Sequence, residues 1–387
     1  MEEKVKKIAI IGASYLQEPL IEKAKAMGLE THVFAWAAGD IGEKTADYFY
    51  PISIIEKDEI LKKCQEIGID GICSIASDLA AITVNYVADK MKLVGNSPEC
   101  AMISTNKHLM RGAFEKNGDP SPKSILVSSI DDLKEIHLTY PVIVKPTDRS
   151  GSRGITKLNS EKGLDVAIEN AKEQGFEKKA LVEEFATGQE YSVECISFAG
   201  EHHFLAITHK YTTGAPHFIE TGHLEPAPIS NEKLEEVKSV VFHALDSLKI
   251  TNSASHTELK IAKDGTIRLI EIGGRMGGDC IGSDLVELST GVDFVKAVVQ
   301  IALGEVPDVK AYHEGAAAGV HYIFGEKDKI VLEQLKKEHP DYLIREEING
   351  DGAETITDSS SRYGMFLMKA PTVKDLQAYL PVQEEQV

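Results

Sequence analysis

His256–Asp279 reads HTELKIAKDGTIRLIEIGGRMGGD, and this stretch decides the fold. Two alternating apolar runs flank Asp264-Gly265, a pair that favours a two-residue hairpin turn. Such a turn sets Lys263 opposite Thr266, Lys260 opposite Leu269 and Glu258 opposite Glu271. Directly opposed like charges destabilise a hairpin, and two carboxylates toward the middle of a domain are costly to desolvate. Two readings follow. A bridging cation removes both penalties, and an oxygen-only pair suits Mg²⁺ or Mn²⁺ held jointly with a substrate phosphate. Alternatively, both glutamates face solvent, or a three-residue loop shifts the register. Just beyond, Arg275 stands between Gly273-Gly274 and Gly277-Gly278. Glycines let the backbone turn sharply and approach a ligand, while the guanidinium offers a planar fork for carboxylate or phosphate.

Upstream, Pro141–Ile155 reads PVIVKPTDRSGSRGI. The lysine precedes the glycines, the reverse of a P-loop. Lys145 ends an apolar run expected to be buried, where a lysine needs an anionic partner. The loop Ser150-Gly151-Ser152-Arg153-Gly154 offers free backbone N–H groups and hydroxyls that could fold over phosphates. Lys107 opens an amphipathic helical stretch and, alone, reads as a solvated lysine. KALVEEFATGQEYSVE places carboxylates at a strand end; it reads as an acidic hairpin, or as a strand edge that meets a purine rim with a carboxylate for the ribose.

The rest of the chain sets the frame. From Val5 to about Gly95, apolar runs alternate with helical stretches, a βαβ pattern that implies a parallel sheet. The first turn, Gly12-Ala-Ser14, lacks GxGxxG, so a structural Rossmann-like half is expected there rather than a dinucleotide site. Strand patterns dominate the middle, and the tail from Val306 reads as a small α+β appendage completing the middle domain. At 387 residues, with 42% hydrophobic and 27% charged content, the chain is expected to form two or three globular domains. A net charge of −19 argues against a broad nucleic-acid-binding face. No membrane span or secretion signal is legible, and five scattered cysteines without CxxC spacing suit a reduced, cytoplasmic setting.

Taken in order, NKHLMR, PVIVKPTDRSGSRGI, LVEEFATGQEYSVE, the glutamate pair and GGRMGGD resemble the ATP-grasp superfamily of carboxylate–amine ligases. The resemblance implies an α/β and α+β multidomain chain: a Rossmann-like N-terminal domain (1–100), an ATP-grasp fold (101–305) with a mobile lid subdomain (about 123–188), and a C-terminal α+β subdomain (306–387). It implies that Lys107 and Lys145 contact ATP phosphates and that Ser150, Gly151, Ser152 and Gly154 close over the triphosphate. Glu183, Glu184, Phe185 and Ala186 would read adenine, mainly through the backbone, and Glu190 the ribose. Glu258 and Glu271 would hold magnesium, although Gly273 stands where many members have the Asn of Glu-x-Asn. EIGGRMGGD is similar to the branch that includes L-amino-acid (dipeptide) ligases. There Arg275 would stabilise the acyl phosphate and its tetrahedral intermediate, beside Gly277 and Gly278, with Glu220 and His223 facing the amino acid. The implied cofactors are ATP and Mg²⁺ or Mn²⁺, and the implied partners are a small carboxylate, a small amine and a second copy of the chain. Bicarbonate or formate activation, and a non-catalytic nucleotide-binding module, are the competing readings.

Overall fold

The structure, a computed structural model, describes residues 4–149, 151, 153–215, 218–350 and 361–382. The first of its three sheets contains β1 (Lys7–Ile11), β2 (Glu30–Phe34), β3 (Tyr48–Tyr50) and β4 (Gly71–Cys73), in the order β3-β2-β1-β4. All three pairings are parallel. Parallel neighbours need crossovers, and helices Glu18–Ala26 and Lys57–Ile67 supply two of them. The second sheet is antiparallel: β5 (Ser124–Val127), β6 (Val142–Pro146), β7 (Thr156–Leu158) and β8 (Ala180–Glu184), in the order β5-β8-β6-β7. Helix Leu164–Gln174 backs it, packing Ile168 and Ala171 in one cluster with Val142, Val144 and Val182.

The third sheet is the largest. It holds β9 (Gln189–Phe198), β10 (Glu201–Thr212), β11 (Glu220–Glu225), β12 (Ser253–Ile261), β13 (Ile267–Gly273), β14 (Ala317–Ile323), β15 (Leu343–Ile348) and β16 (Gly364–Ala370). Their order is β13-β12-β9-β10-β11-β14-β16-β15, so the chain's tail extends the same sheet that carries the glutamate pair. Period-two alternation gives this sheet two unlike faces. Tyr191, Val193, Cys195, Leu259 and Leu269 point one way and pack with Val237, Val241 and Leu245 of helix Asn231–Ser247. Each such side chain contributes on the order of 2 kcal/mol when fully buried. Glu190, Ser192, Glu194, Lys210, His256 and Glu258 lie on the opposite face, as their registers require. Helix Phe294–Ala302 joins the layers: Phe294, Val295 and Val299 share one core with Ile8 and Ile10 of the first sheet and Ile196 and Ala254 of the third.

The hairpin reaches its expected pairing by another path. Its loop is three residues long: the Ala262 N–H donates to the Thr266 carbonyl, and Gly265 takes φ 89 at the left-handed position. Lys260 therefore faces Arg268, and Leu259 faces Leu269, one residue off the two-residue register. A bulge then inserts Ile270 and brings Glu258 back opposite Glu271. The two irregularities cancel from Glu258–Glu271 onward, so Thr257–Ile272 and His256–Gly273 keep the same register.

Candidate active site

A cleft opens between the second sheet and the polar face of the third. Its lining mixes two chemistries. Pro122, Ile143, Phe185, Phe218 and Ile270 are its apolar residues, the Phe185 and Phe218 rings standing 6.3 Å apart with Lys260 Nζ 5.1 and 5.5 Å from their centroids. Asp78, Lys107, Glu271 and Arg275 make a charged end, joined by Lys107–Glu271 and Arg275–Asp78 ion pairs, and Lys145 lines the cleft as well. A ligand with a flat ring system and a polyanionic tail matches such a lining.

The lysines are held by carboxylates. Asn106 caps helix Lys107–Asn117, accepting from the His108 and Leu109 N–H groups, and so fixes Lys107 at the first turn. Lys107 Nζ donates to Glu271 Oε1 at 2.7 Å and to the Arg149 carbonyl at 2.7 Å. The expectation that Lys145 needs an anion is met inside the protein: its Nζ lies 2.6 Å from Glu183 Oε2. Arg111 Nε approaches the other oxygen at 2.9 Å, giving a buried Arg–Glu–Lys triad. Burial works against the charges of both Glu183 and Lys145. Arg111 and Lys145 nevertheless hold the Glu183 carboxyl below its usual range, whereas burial wins at Lys145 and lowers its pKa.

Glu258 and Glu271 both line the cleft and are about a quarter exposed, at 26% and 24%. Lys210 Nζ sits 2.7 Å from Glu258, 3.0 Å from Glu190 and 3.6 Å from Glu220. Burial opposes the Lys210 charge, but the three carboxylates raise its pKa well above the usual value. His256 bridges Glu194 and Glu258, the latter 3.6 Å from its Nε2. Among the described residues no three His, Cys, Asp or Glu side chains group as a metal shell. Two carboxylates opposed on one sheet face nevertheless fit Mg²⁺, which keeps waters and takes its remaining oxygens from substrate phosphates.

Arg275 lies at the charged end, its guanidinium paired with Asp78. Gly277 and Gly278 stand outside the cleft and border a second cavity, formed by the first sheet's loops, Asp279, Tyr322 and Arg362. The Gly277 N–H donates to Glu194 at 2.9 Å. His223 is fully buried beside Tyr322, and its ring nitrogens have no hydrogen-bond partner among the described residues. Burial lowers its pKa to about 3. Glu220, on the cleft wall, also meets Arg362 Nη2 at 3.1 Å. Gly151, Glu184, Ala186 and Glu190 line the cleft as well. Gly154 lies outside its lining, and Ser150 and Ser152 lie outside the described residues.

Sequence reasoning missed Asp78, Arg111, Lys210, Phe218, His256 and Arg362. For Lys210 and His256 a signal existed. β9 and β12 alternate polar or charged residues with apolar ones, and Glu194, His256 and Lys260 on them, with Lys210 on β10, are buried.

A family model described as the ATP-grasp domain matches residues 138–284. The chain carries an ATP-grasp domain and has the ATP-grasp fold. Alanine–anticapsin ligase of Bacillus subtilis (strain 168) is 28% identical over 274 residues, 62% of this chain and 58% of that protein. D-alanine–D-alanine ligase of Thermoanaerobacter sp. (strain X514) is 30% identical over 202 residues, 47% of this chain and 54% of that protein. The chain thus spans a little over half the length of these curated relatives. The crystal structure of an L-amino acid ligase from Bacillus licheniformis is similar with a TM-score of 0.82 at 24% identity, over 97% of this chain and 96% of that one.

Proposed function

We propose that the chain is an ATP-dependent ligase that joins a carboxylate to an amine through an acyl phosphate, with an amino acid among its substrates. The observation that carries this reading is one cleft lined both by the Phe185 and Phe218 rings and by Lys107, Lys145, Glu271 and Arg275. Adenine would lie against Phe185 and Ile143, with the ribose hydroxyls on Glu190 and the phosphates running toward Lys145 and Lys107. Glu258 and Glu271 would hold Mg²⁺ or Mn²⁺, which when bound neutralises triphosphate charge.

The residues then have separate tasks. Lys107 and Lys145 offset charge that builds on the transferred phosphoryl group. The substrate carboxylate attacks the γ-phosphorus, the bond to ADP breaks, and an acyl phosphate forms. The amine attacks the acyl carbon, loses a proton, and phosphate departs. Arg275 donates hydrogen bonds to the oxyanion of that second step. Glu220 would face the amino acid and Gly277 and Gly278 would border its path, whereas His223, expected to face it too, is fully buried against Tyr322 and lines neither cavity. The amino-acid ligases among the relatives support this choice of substrate class.

The test is ADP and phosphate release across a panel of amino acids. Turnover should require both a carboxylate and an amine, and should vanish in Glu271→Ala and Arg275→Ala. AMP and pyrophosphate as products, or turnover on bicarbonate alone, would exclude the reading.

A further inference from the structure

We propose that Asp78 is the positioning residue for Arg275, so that the arginine of the acyl-transfer step is aimed by a side chain from beside the N-terminal sheet. The inference rests on the ligase reading above. Asp78 grips the guanidinium at two points: Nε to Oδ1 at 2.8 Å and Nη2 to Oδ2 at 3.0 Å. A two-pronged contact fixes the plane of the group as well as its place. Among the described residues Nη1 has only a long contact, 3.4 Å to the Met276 carbonyl, which leaves that edge for a substrate oxygen to occupy. Both side chains line the charged end of the cleft.

The surroundings are shaped for this contact. Asp78 opens helix Asp78–Met91, whose N-terminal end favours a carboxylate, and the Ser77 hydroxyl caps it by accepting from the Ala80 N–H. Ala76 takes φ 56, a left-handed conformation that a non-glycine residue keeps only where its neighbours impose it. Its N–H donates to the Met276 carbonyl at 3.1 Å, and Gln17 Nε2 donates to the Ile75 carbonyl at 2.9 Å. Across the junction, glycines clear the space. A Cβ on Gly273 would stand 2.7 Å from Asp78 Oδ1, and one on Gly278 would stand 3.3 Å from the Ala76 Cβ. These two glycines of GGRMGG therefore admit the N-terminal loop, a demand separate from any ligand.

The experiment compares Asp78→Asn and Asp78→Glu with the unaltered full chain, each checked by thermal melting. Asp78→Asn should lower kcat for amide formation about 10²-fold while changing the KM for ATP by less than about threefold. It should also lower the amide formed per ADP, because a misaimed arginine leaves the acyl phosphate to water. Asp78→Glu should regain part of both. A merely structural role would leave that ratio unchanged, so intact coupling in Asp78→Asn overturns the proposal. The NMR signal of the Arg275 Nε–H, assigned through Arg275→Lys, gives a readout without turnover. It should be protected from exchange in the unaltered chain and lose protection in Asp78→Asn; equal protection in both overturns the proposal. An unaltered chain without amine-dependent turnover would refute the ligase reading alone, leaving this signal to decide on Asp78.

Discussion

Replacing Glu183 by glutamine removes the one anion between Arg111 and Lys145 at nearly constant volume. Glu183 meets Lys145 at 2.6 Å and Arg111 at 2.9 Å, and the three side chains are 3–6% exposed. The variant leaves two cations facing each other away from water. Breaking a buried pair by deleting one partner costs about 3–5 kcal/mol, because the remaining charge is uncompensated. Two features limit the damage. Arg111 keeps its 2.7 Å bond to the Ile270 carbonyl. Lys145, whose pKa burial already lowers, can shed its proton. A cost of about 3 kcal/mol is therefore the working figure. It should appear as at least ~10²-fold faster amide exchange in β6 and β8, measured by hydrogen-exchange mass spectrometry. Lys145→Met should cost less, since it leaves Arg111 and Glu183 paired. Adding Lys145→Met to Glu183→Gln should recover at least about 1 kcal/mol, the coupling expected of contacting charges. Exchange in Glu183→Gln within about twofold of the unaltered chain would refute the reasoning.

Four further outcomes follow from the surroundings of single residues. Burial raises the pKa of Glu225 to about 8, against hydrogen bonds from Thr208 and Ser289. Between the unfolded value near 4.5 and about 8 the folded protein keeps a proton that the unfolded chain releases, so this group's contribution to stability falls as pH rises. Glu225→Gln should flatten that slope in melting curves and stabilise the protein at pH 8 by on the order of 3 kcal/mol; an unchanged slope counts against a buried neutral carboxyl. Gly277→Ala places a Cβ 2.6 Å from Glu194 Oε1 and 2.8 Å from His256 Nδ1, so it should destabilise by about 1–3 kcal/mol. Gly112→Ala, exposed in a helix with nothing within 4 Å of the new Cβ, should stabilise by about 0.5–1 kcal/mol, and both are read in the same melts. Lys210→Met removes the cation that Glu190, Glu220 and Glu258 share, so Mn²⁺ binding without nucleotide, measured by calorimetry, should tighten; weaker binding would show that the carboxylates do not serve as cation ligands.

Much of the site was legible because its chemistry is written in local pattern. Lys145 after a buried run, the glycines around Arg275 and the glutamates flanking Asp264-Gly265 are each visible within a few residues. The glutamate pairing was anticipated through a turn that the protein does not use. The Lys263-Asp264-Gly265 loop shifts the register and the Ile270 bulge restores it, and neither is signalled by alternation alone. What stayed hidden is long-range. Asp78 reaches Arg275 across 197 positions and Arg362 reaches Glu220 across 142, so only the packed sheets bring them together. The tail's strand pattern was enough to expect that it completes the middle domain, and β14–β16 do extend that sheet; that they place Arg362 beside Glu220 carries no local signal. Glu183 was expected to act through its backbone, and its side chain has its own task in holding Lys145.

The most direct test of the central claim follows the oxygen of the substrate carboxylate. The enzyme is supplied with ATP, Mg²⁺, an amine and a carboxylate labelled with heavy oxygen, using the amino acid that gives amine-dependent ADP release. Passage through an acyl phosphate moves one labelled oxygen per amide formed into the released phosphate, and mass spectrometry of that phosphate should show it. Unlabelled phosphate, or label recovered in AMP, would contradict the account.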